Sequence, residues 1–283
     1  MLDCRRLTAD DLADALELSR QAGWNQVAAD WQRLLALSPE GCFAGTVDGQ
    51  LVATTTVITY GDDVSWIGMV LVDEAHRSQG YGSRIFERGL EYARERGGRR
   101  LGLDATHLGE PIYEKYGFER VAPVFRWQGT LSDNDGEHRA ESAEPLESEL
   151  LDAVCAFDRN ALAVDRTDLV RELVAEPDVR GFVVGDSASV DGYAFVRPGR
   201  THRQIGPIVA SDSRTLEALL AAVTTALGER AVIVDAPERA GVEAALEAAG
   251  LDRTRELVRM THPDRAELLL SDSVCGLVDF AFG

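Results

Sequence analysis

The spacing of apolar positions changes several times along the first half of the chain, and each change marks a predicted element. Thr8 and Asp11 have capping-box spacing, and Leu12, Ala15, Leu16 and Leu18 form an apolar stripe, so a helix is predicted to about residue 22, ended by Gly23. Val27, Trp31, Leu34 and Leu35 recur at helical spacing and predict a second helix over 26–37, closed by Pro39 and Gly41. Residues 42–47, the Asp48-Gly49 turn and residues 51–59 predict a hairpin. Over 64–72 the apolar run becomes almost continuous through Trp66, Ile67, Met69, Val70, Leu71 and Val72, as expected of a strand covered on both faces. Ile85, Phe86, Leu90 and Ala93 then predict a helix from residue 83 to Gly97. Leu101, Leu103 and Ala105 alternate as a strand, a short helix over 111–115 stops at Gly117, and 118–130 reads as extended.

Residues 131–145 are polar, acidic and poor in large apolar side chains, the composition of a linker, so a first domain over 1–130 and a second over 146–283 are predicted. The second half repeats the element order of the first. Ile67-Gly68-Met69-Val70-Leu71-Val72 aligns with Ile205-Gly206-Pro207-Ile208-Val209-Ala210, Leu103-Asp104-Ala105 with Val234-Asp235-Ala236, and Gly117-Phe118 with Gly250-Leu251. Both halves read as copies of one α/β unit.

Composition narrows the function classes. No run of 18 apolar residues occurs, and the first residues lack the layout of a secretory signal, so a cytoplasmic protein is expected. Cys4, Cys42, Cys155 and Cys275 form no C-x-x-C pair, and no bound metal is expected. The formal charge of -19 argues against a nucleic-acid partner. Lys115 is the single lysine, and the carboxylates are scattered along the chain, which fits adaptation to a high-salt cytoplasm. An acidic protein of a GC-rich genome explains the missing lysines but less of the carboxylate excess.

Candidate chemistry sits at the turn after the 64–72 strand, Arg77-Ser78-Gln79-Gly80-Tyr81-Gly82. A helix N-terminus presents unpaired N–H groups and partial positive charge, which together hold a diphosphate. Gly80 and Gly82 remove side chains from the phosphate approach, while Arg77 adds a charge and Ser83 a hydroxyl. Position 85 is Ile85 where a dinucleotide fingerprint wants a third glycine, and the Gly-Lys-Ser/Thr of a P-loop is absent. The second half has Ser211-Asp212-Ser213 at the matching turn, where Asp212 would repel a phosphate, so one coenzyme site per chain is predicted.

With these residues, the first half resembles the GNAT superfamily of acyl-CoA-dependent N-acetyltransferases. Arg77, Gly80 and Gly82 meet its R/Q-x-x-G-x-G/A signature, and Tyr113, Gly117 and Phe118 its Tyr-x-x-x-Gly-Phe signature. The degenerate second half is similar to that of tandem members. The resemblance implies two units, each a mixed, mostly antiparallel sheet flanked by helices, and acetyl-CoA as co-substrate. It further implies that the backbone of Met69, Val70, Leu71 and Val72 pairs with the pantetheine arm, and that the amides of Arg77, Ser78, Gln79, Gly80, Tyr81, Gly82 and Ser83 hold the pyrophosphate. Tyr113 would protonate the departing thiolate, a role that a phenol within hydrogen-bond reach can fill.

Asp104 and His107 are the candidates for the general base, since the 64–72 strand carries no carboxylate. Thr106 stands where many relatives have asparagine. Trp24, Asn25 and Asp30 fall in the helical hairpin that walls the acceptor site in the family, and Arg197, Pro198, Gly199 and His202 are candidates to cover it. The expected reaction is direct acetyl transfer, through a tetrahedral intermediate, to a primary amine of a small molecule. A protein N-acetyltransferase and a non-catalytic acyl-CoA sensor are the alternatives.

Overall fold

The structure, a computed structural model, describes residues 1–61, 63–132, 142–263 and 268–283. The first half runs β1 (Asp3–Arg6), α1 (Leu12–Gln21), α2 (Ala28–Leu37), β2 (Cys42–Val47), β3 (Gln50–Tyr60), β4 (Val64–Val72), α3 (Tyr81–Glu95), β5 (Arg100–Ala105), α4 (Glu110–Glu114) and β6 (Glu119–Thr130). The second half repeats that order: β7 (Glu144–Pro145), α5 (Leu151–Leu162), α6 (Thr167–Ala175), β8 (Arg180–Gly185), β9 (Val190–Arg197), β10 (Arg203–Ala210), α7 (Ser213–Leu227), β11 (Ala231–Pro237), α8 (Ala240–Ala248) and β12 (Leu251–His262). A short last strand, β13 (Val274–Gly276), follows. Of the segment predicted as a linker, residues 133–141 lie outside the described residues.

All of these strands join one mixed sheet in the order β1-β2-β3-β4-β5-β12-β6-β11-β10-β9-β8-β7, with β13 paired to β10. Exchanging the halves reverses the order onto itself, so a pseudo-twofold axis passes between β12 and β6. Each half therefore takes its closing strand from the other: β12 pairs with β5, and β6 pairs with β11. Sequence order had placed residues 118–130 at the end of the first unit, whereas β6 lies across the centre of the molecule.

Two buried ion pairs fasten the exchange and obey the same symmetry. Arg126 on β6 makes two hydrogen bonds, 2.7 and 2.8 Å, to Asp235 on β11. Arg259 on β12 makes the matching pair, both 2.8 Å, to Asp104 on β5. Removing one partner of such a pair strands a buried charge and costs about 3–5 kcal/mol.

On one face of the first half, Ile85, Phe86, Leu90 and Ala93 of α3 pack on Val52, Val57, Ile67 and Leu103 of the sheet. On the other face, helices from both halves share one core, in which Trp31 and Leu34 of α2 join Val154 of α5 and Leu169 and Leu173 of α6. Leu277, Val278, Ala281 and Phe282 of the C-terminal tail fill the middle of that core. The tail crosses the sheet where Gly68 and Gly206 leave room: a Cβ on Gly68 would lie 2.7 Å from the Ala281 carbonyl oxygen, and one on Gly206 would overlap that of Leu277.

The sheet opens at two symmetric places. β4 and β5 run parallel and pair only from Val64 to Trp66 before they part. A register shift opposite Thr54–Thr56 accompanies the positive φ of Met69, whose carbonyl accepts from the Thr54 hydroxyl at 2.8 Å. β10 and β11 pair only from Arg203 to Ile205 and then part likewise. In the second half β13 fills that opening, pairing with Ile208 and Val209. In the first half the matching opening is a cleft.

Candidate active site

The cleft follows directly from how β4 ends. Gly80 takes φ 80°, a left-handed conformation suited to glycine, and serves as N-cap of α3 without a side-chain cap. α3 therefore begins at Tyr81 rather than at residue 83, and its first turn, which holds no acidic residue, lines the cleft. Gly82 needs no special backbone: a Cβ there would make ordinary contacts of 3.6 Å to Val72 and 3.8 Å to Ile112. Its bareness is thus not required by packing within the protein. α7, in the second half, contrasts at each point, since the Asp212 carboxylate caps it by accepting from the Thr215 amide at 2.9 Å.

The cleft encloses about 540 Å³ and is lined by Val70, Leu71, Val72, Arg77, Ser78, Gly80, Tyr81, Gly82 and Ser83. Its volume suits an extended coenzyme. At its inner end it meets a smaller cavity of about 60 Å³, whose walls include Gln26, Ile67, Gly68, Met69, Leu257 and Phe280. Trp24, Val70, Thr106, Tyr113 and Arg255 line both spaces and so define the junction.

Tyr113 reaches the junction from α4, where its ring packs on Phe86 of α3 at 4.6 Å between centroids. Its hydroxyl makes no hydrogen bond to a described residue. Burial pushes the phenol well above its ordinary pKa, so it stays protonated throughout the physiological range. A protonated, unengaged phenol at the meeting point of the two spaces is placed to donate a hydrogen bond into them.

Several residues expected at the site are engaged elsewhere. Asp104 gives both carboxylate oxygens to Arg259, and its side chain is fully buried; burial raises its pKa while the guanidinium opposes that rise. His107 is exposed on the loop after β5 and lines neither space. The carboxylate of Asp30 accepts from Arg33 at 3.0 Å and from Arg197 at 3.2 Å, within a buried network that Asp279 and Glu176 complete. Asn25 accepts from the amides of Thr201 and His202 and donates to the His202 carbonyl, tying the loop between β9 and β10 to the first half. Arg197 and that loop thus join the halves rather than roof the cavity. Gln79 turns outward to the Ala75 carbonyl. Of the three acceptor-wall residues, Trp24 alone lines the junction.

Arg255, Leu257, Phe280 and Ala281 line the site although nothing near the glycine turn announces them. The first two arrive on the exchanged strand β12 and the last two on the tail.

Two family models cover most of the chain: one described as the acetyltransferase (GNAT) family matches residues 8–118, and one described as an acetyltransferase (GNAT) domain matches residues 154–269. The chain belongs to the GNAT family, with two GNAT units in tandem. Among curated proteins, a holothin acyltransferase of Pseudoalteromonas sp. (strain SANK 73390) is 24% identical over 215 residues, covering 76% of this chain and 71% of that protein. Among solved structures, a candidate acetyltransferase from Pyrococcus horikoshii has a TM-score of 0.83 at 21% identity, covering 100% of this GNAT chain and 96% of its own. A tandem GNAT protein from the clavulanic acid biosynthesis pathway has a TM-score of 0.62 at 16% identity, covering 94% and 99%. The whole tandem arrangement, rather than one unit, is thus shared with known folds. GNAT membership makes this chain an acyltransferase of the type that uses an acyl-CoA co-substrate.

Proposed function

We propose that the first half transfers an acetyl group from acetyl-CoA to a primary amine of a small molecule. The observation that carries this reading is the junction at Tyr113, where a coenzyme-sized cleft meets a cavity of only about 60 Å³. In this reading the α3 amides and Ser83 hold the pyrophosphate, the backbone of β4 from Met69 to Val72 lies along the pantetheine arm, and acetyl-CoA supplies the acyl group as a thioester. The amine nitrogen enters from the cavity and forms the new C–N bond at the thioester carbon, and the C–S bond breaks. The Tyr113 hydroxyl donates to the departing sulfur.

The amine must also lose a proton. Among the described residues the cavity wall holds one carboxylate, Asp104, and Arg259 occupies it. The amine therefore reacts in its neutral form and gives its proton to water, from which the Tyr113 phenolate regains the proton it passed to sulfur. A cavity this enclosed favours a small molecule over a protein lysine or N-terminus, which would need an open groove. We extend the reading to the cell: a charge of -19 fits a salt-rich cytoplasm, where a screening length of about 3 Å at 1 M salt lets an anionic coenzyme approach.

The test is CoA release from acetyl-CoA across a panel of amines in molar KCl. Gly82→Glu should abolish coenzyme binding, and Tyr113→Phe should bind acetyl-CoA normally yet turn over more slowly. Tight acetyl-CoA binding without acetylation of any amine would favour a sensor instead.

A further inference from the structure

The small cavity carries two polar groups whose bonding capacity the described protein residues leave unused. Arg255 stands directly opposite Arg126 across the β12–β6 ladder. Asp235 neutralises Arg126 through two hydrogen bonds, whereas Arg255 has no hydrogen bond or ion pair to any described residue. Its guanidinium is partly buried at the junction, beside a second arginine, in a protein whose net charge is -19. Among the described residues the remaining charged groups of the wall, Asp104 and Arg126, are paired, so the one charge of the wall without an ion-pair partner is positive.

The second group is the side-chain amide of Gln26. Gln26 is 6% exposed, forms part of the cavity wall, and its Oε1 has no hydrogen-bond partner. A buried amide without a partner costs about 1–3 kcal/mol, which a ligand offering a polar group can recover.

Resting on the acetyltransferase reading, we infer that the acceptor is a small primary amine that also carries a carboxylate, as an amino acid does, and that Arg255 is the residue that selects it. A guanidinium fork receives a carboxylate through two parallel N–H···O bonds. Such a molecule meets Arg255 with its carboxylate and donates an amine N–H to Gln26 Oε1. An apolar amine can donate an N–H to Gln26 Oε1 but leaves Arg255 without an anion, and a diamine sets a second cation against an unpaired one. The apolar walls, Ile67, Leu257 and Phe280, and the small volume restrict the rest of the acceptor to a short side chain.

The test separates this inference from the reaction itself by measuring binding. Protein saturated with CoA is titrated calorimetrically with glycine, serine, phenylalanine and lysine, each beside the amine lacking its carboxylate (methylamine, ethanolamine, phenethylamine, cadaverine). At least one acid is expected to bind about tenfold to hundredfold more tightly than its partner amine, the range of a charge-assisted hydrogen bond in a partly dehydrated site. Arg255→Gln should erase that difference, and Arg255→Lys should restore part of it. In turnover assays the preference should lie in KM, and Arg255→Gln should raise KM for the acids far more than for their partner amines. The inference is overturned if no acid binds better than its amine, or if Arg255→Gln lowers kcat equally on acids and amines. Arg255-dependent binding of an acid without any CoA release would instead sink the acetyltransferase reading and leave the carboxylate site standing.

Discussion

At the residue scale the site turns on Tyr113 and Gly82. Because burial raises the Tyr113 pKa, the phenol keeps its proton across the working range, so no fall in rate from its ionisation is expected up to about pH 10. The rising limb belongs to the acceptor: with Asp104 tied to Arg259, kcat/KM should climb about tenfold per pH unit until the acceptor ammonium is titrated. A plateau beginning near pH 6–7 for an acceptor of much higher pKa would reveal a protein base. Tyr113→Phe should lower kcat about a hundredfold at unchanged acetyl-CoA affinity, the lower bound for loss of a positioned proton donor. Gly82→Ala separates fold from ligand. The added methyl has room in the protein, so the melting temperature should hold while acetyl-CoA affinity falls.

At the scale of elements, the exchanged strands carry both stability and part of the site. Arg259→Met should destabilise the protein by about 3–5 kcal/mol, because it leaves the Asp104 carboxylate buried alone, and Arg126→Met should do the same through Asp235. Pairing Arg259→Met with Asp104→Leu should recover most of that loss in a denaturant titration, since a packed apolar pair replaces a buried ionic one. The same elements explain what could be read from sequence. β4 and α2 lie where the apolar pattern put them, because a doubly covered strand and an amphipathic helix write their burial into consecutive residues. The glycine turn and Tyr113 each stand out as short local patterns in the sequence, and both line the same cleft. Arg255 and Phe280 were not: they reach the junction and the cavity only because β12 and the tail cross into the other half, and pairing between residues so distant leaves no local period. Asp30 and Asn25 misled in the opposite sense, as polar residues beside Trp24 whose partners, Arg197 and the Thr201–His202 amides, also come from the far half.

At the scale of the molecule, the two halves are one architecture used in two ways. The second opening of the sheet is filled by β13 and its α7 terminus is capped by Asp212, so calorimetry should find one acetyl-CoA per chain. Two equivalents with both sites saturable would contradict that assignment. The acidic surface is expected to make stability rise with KCl as like charges are screened, and a melting temperature indifferent to salt between dilute buffer and 1 M KCl would remove the halophilic reading.

The most direct test of the central claim is a single assay in which CoA release and N-acetylated product are quantified together from acetyl-CoA and the amine panel. Equal amounts of both are expected from the wild type, about a hundredth of that rate from Tyr113→Phe, and neither from Gly82→Glu. Full turnover in Gly82→Glu, or tight acetyl-CoA binding with no acetylated amine in the wild type, would contradict the account.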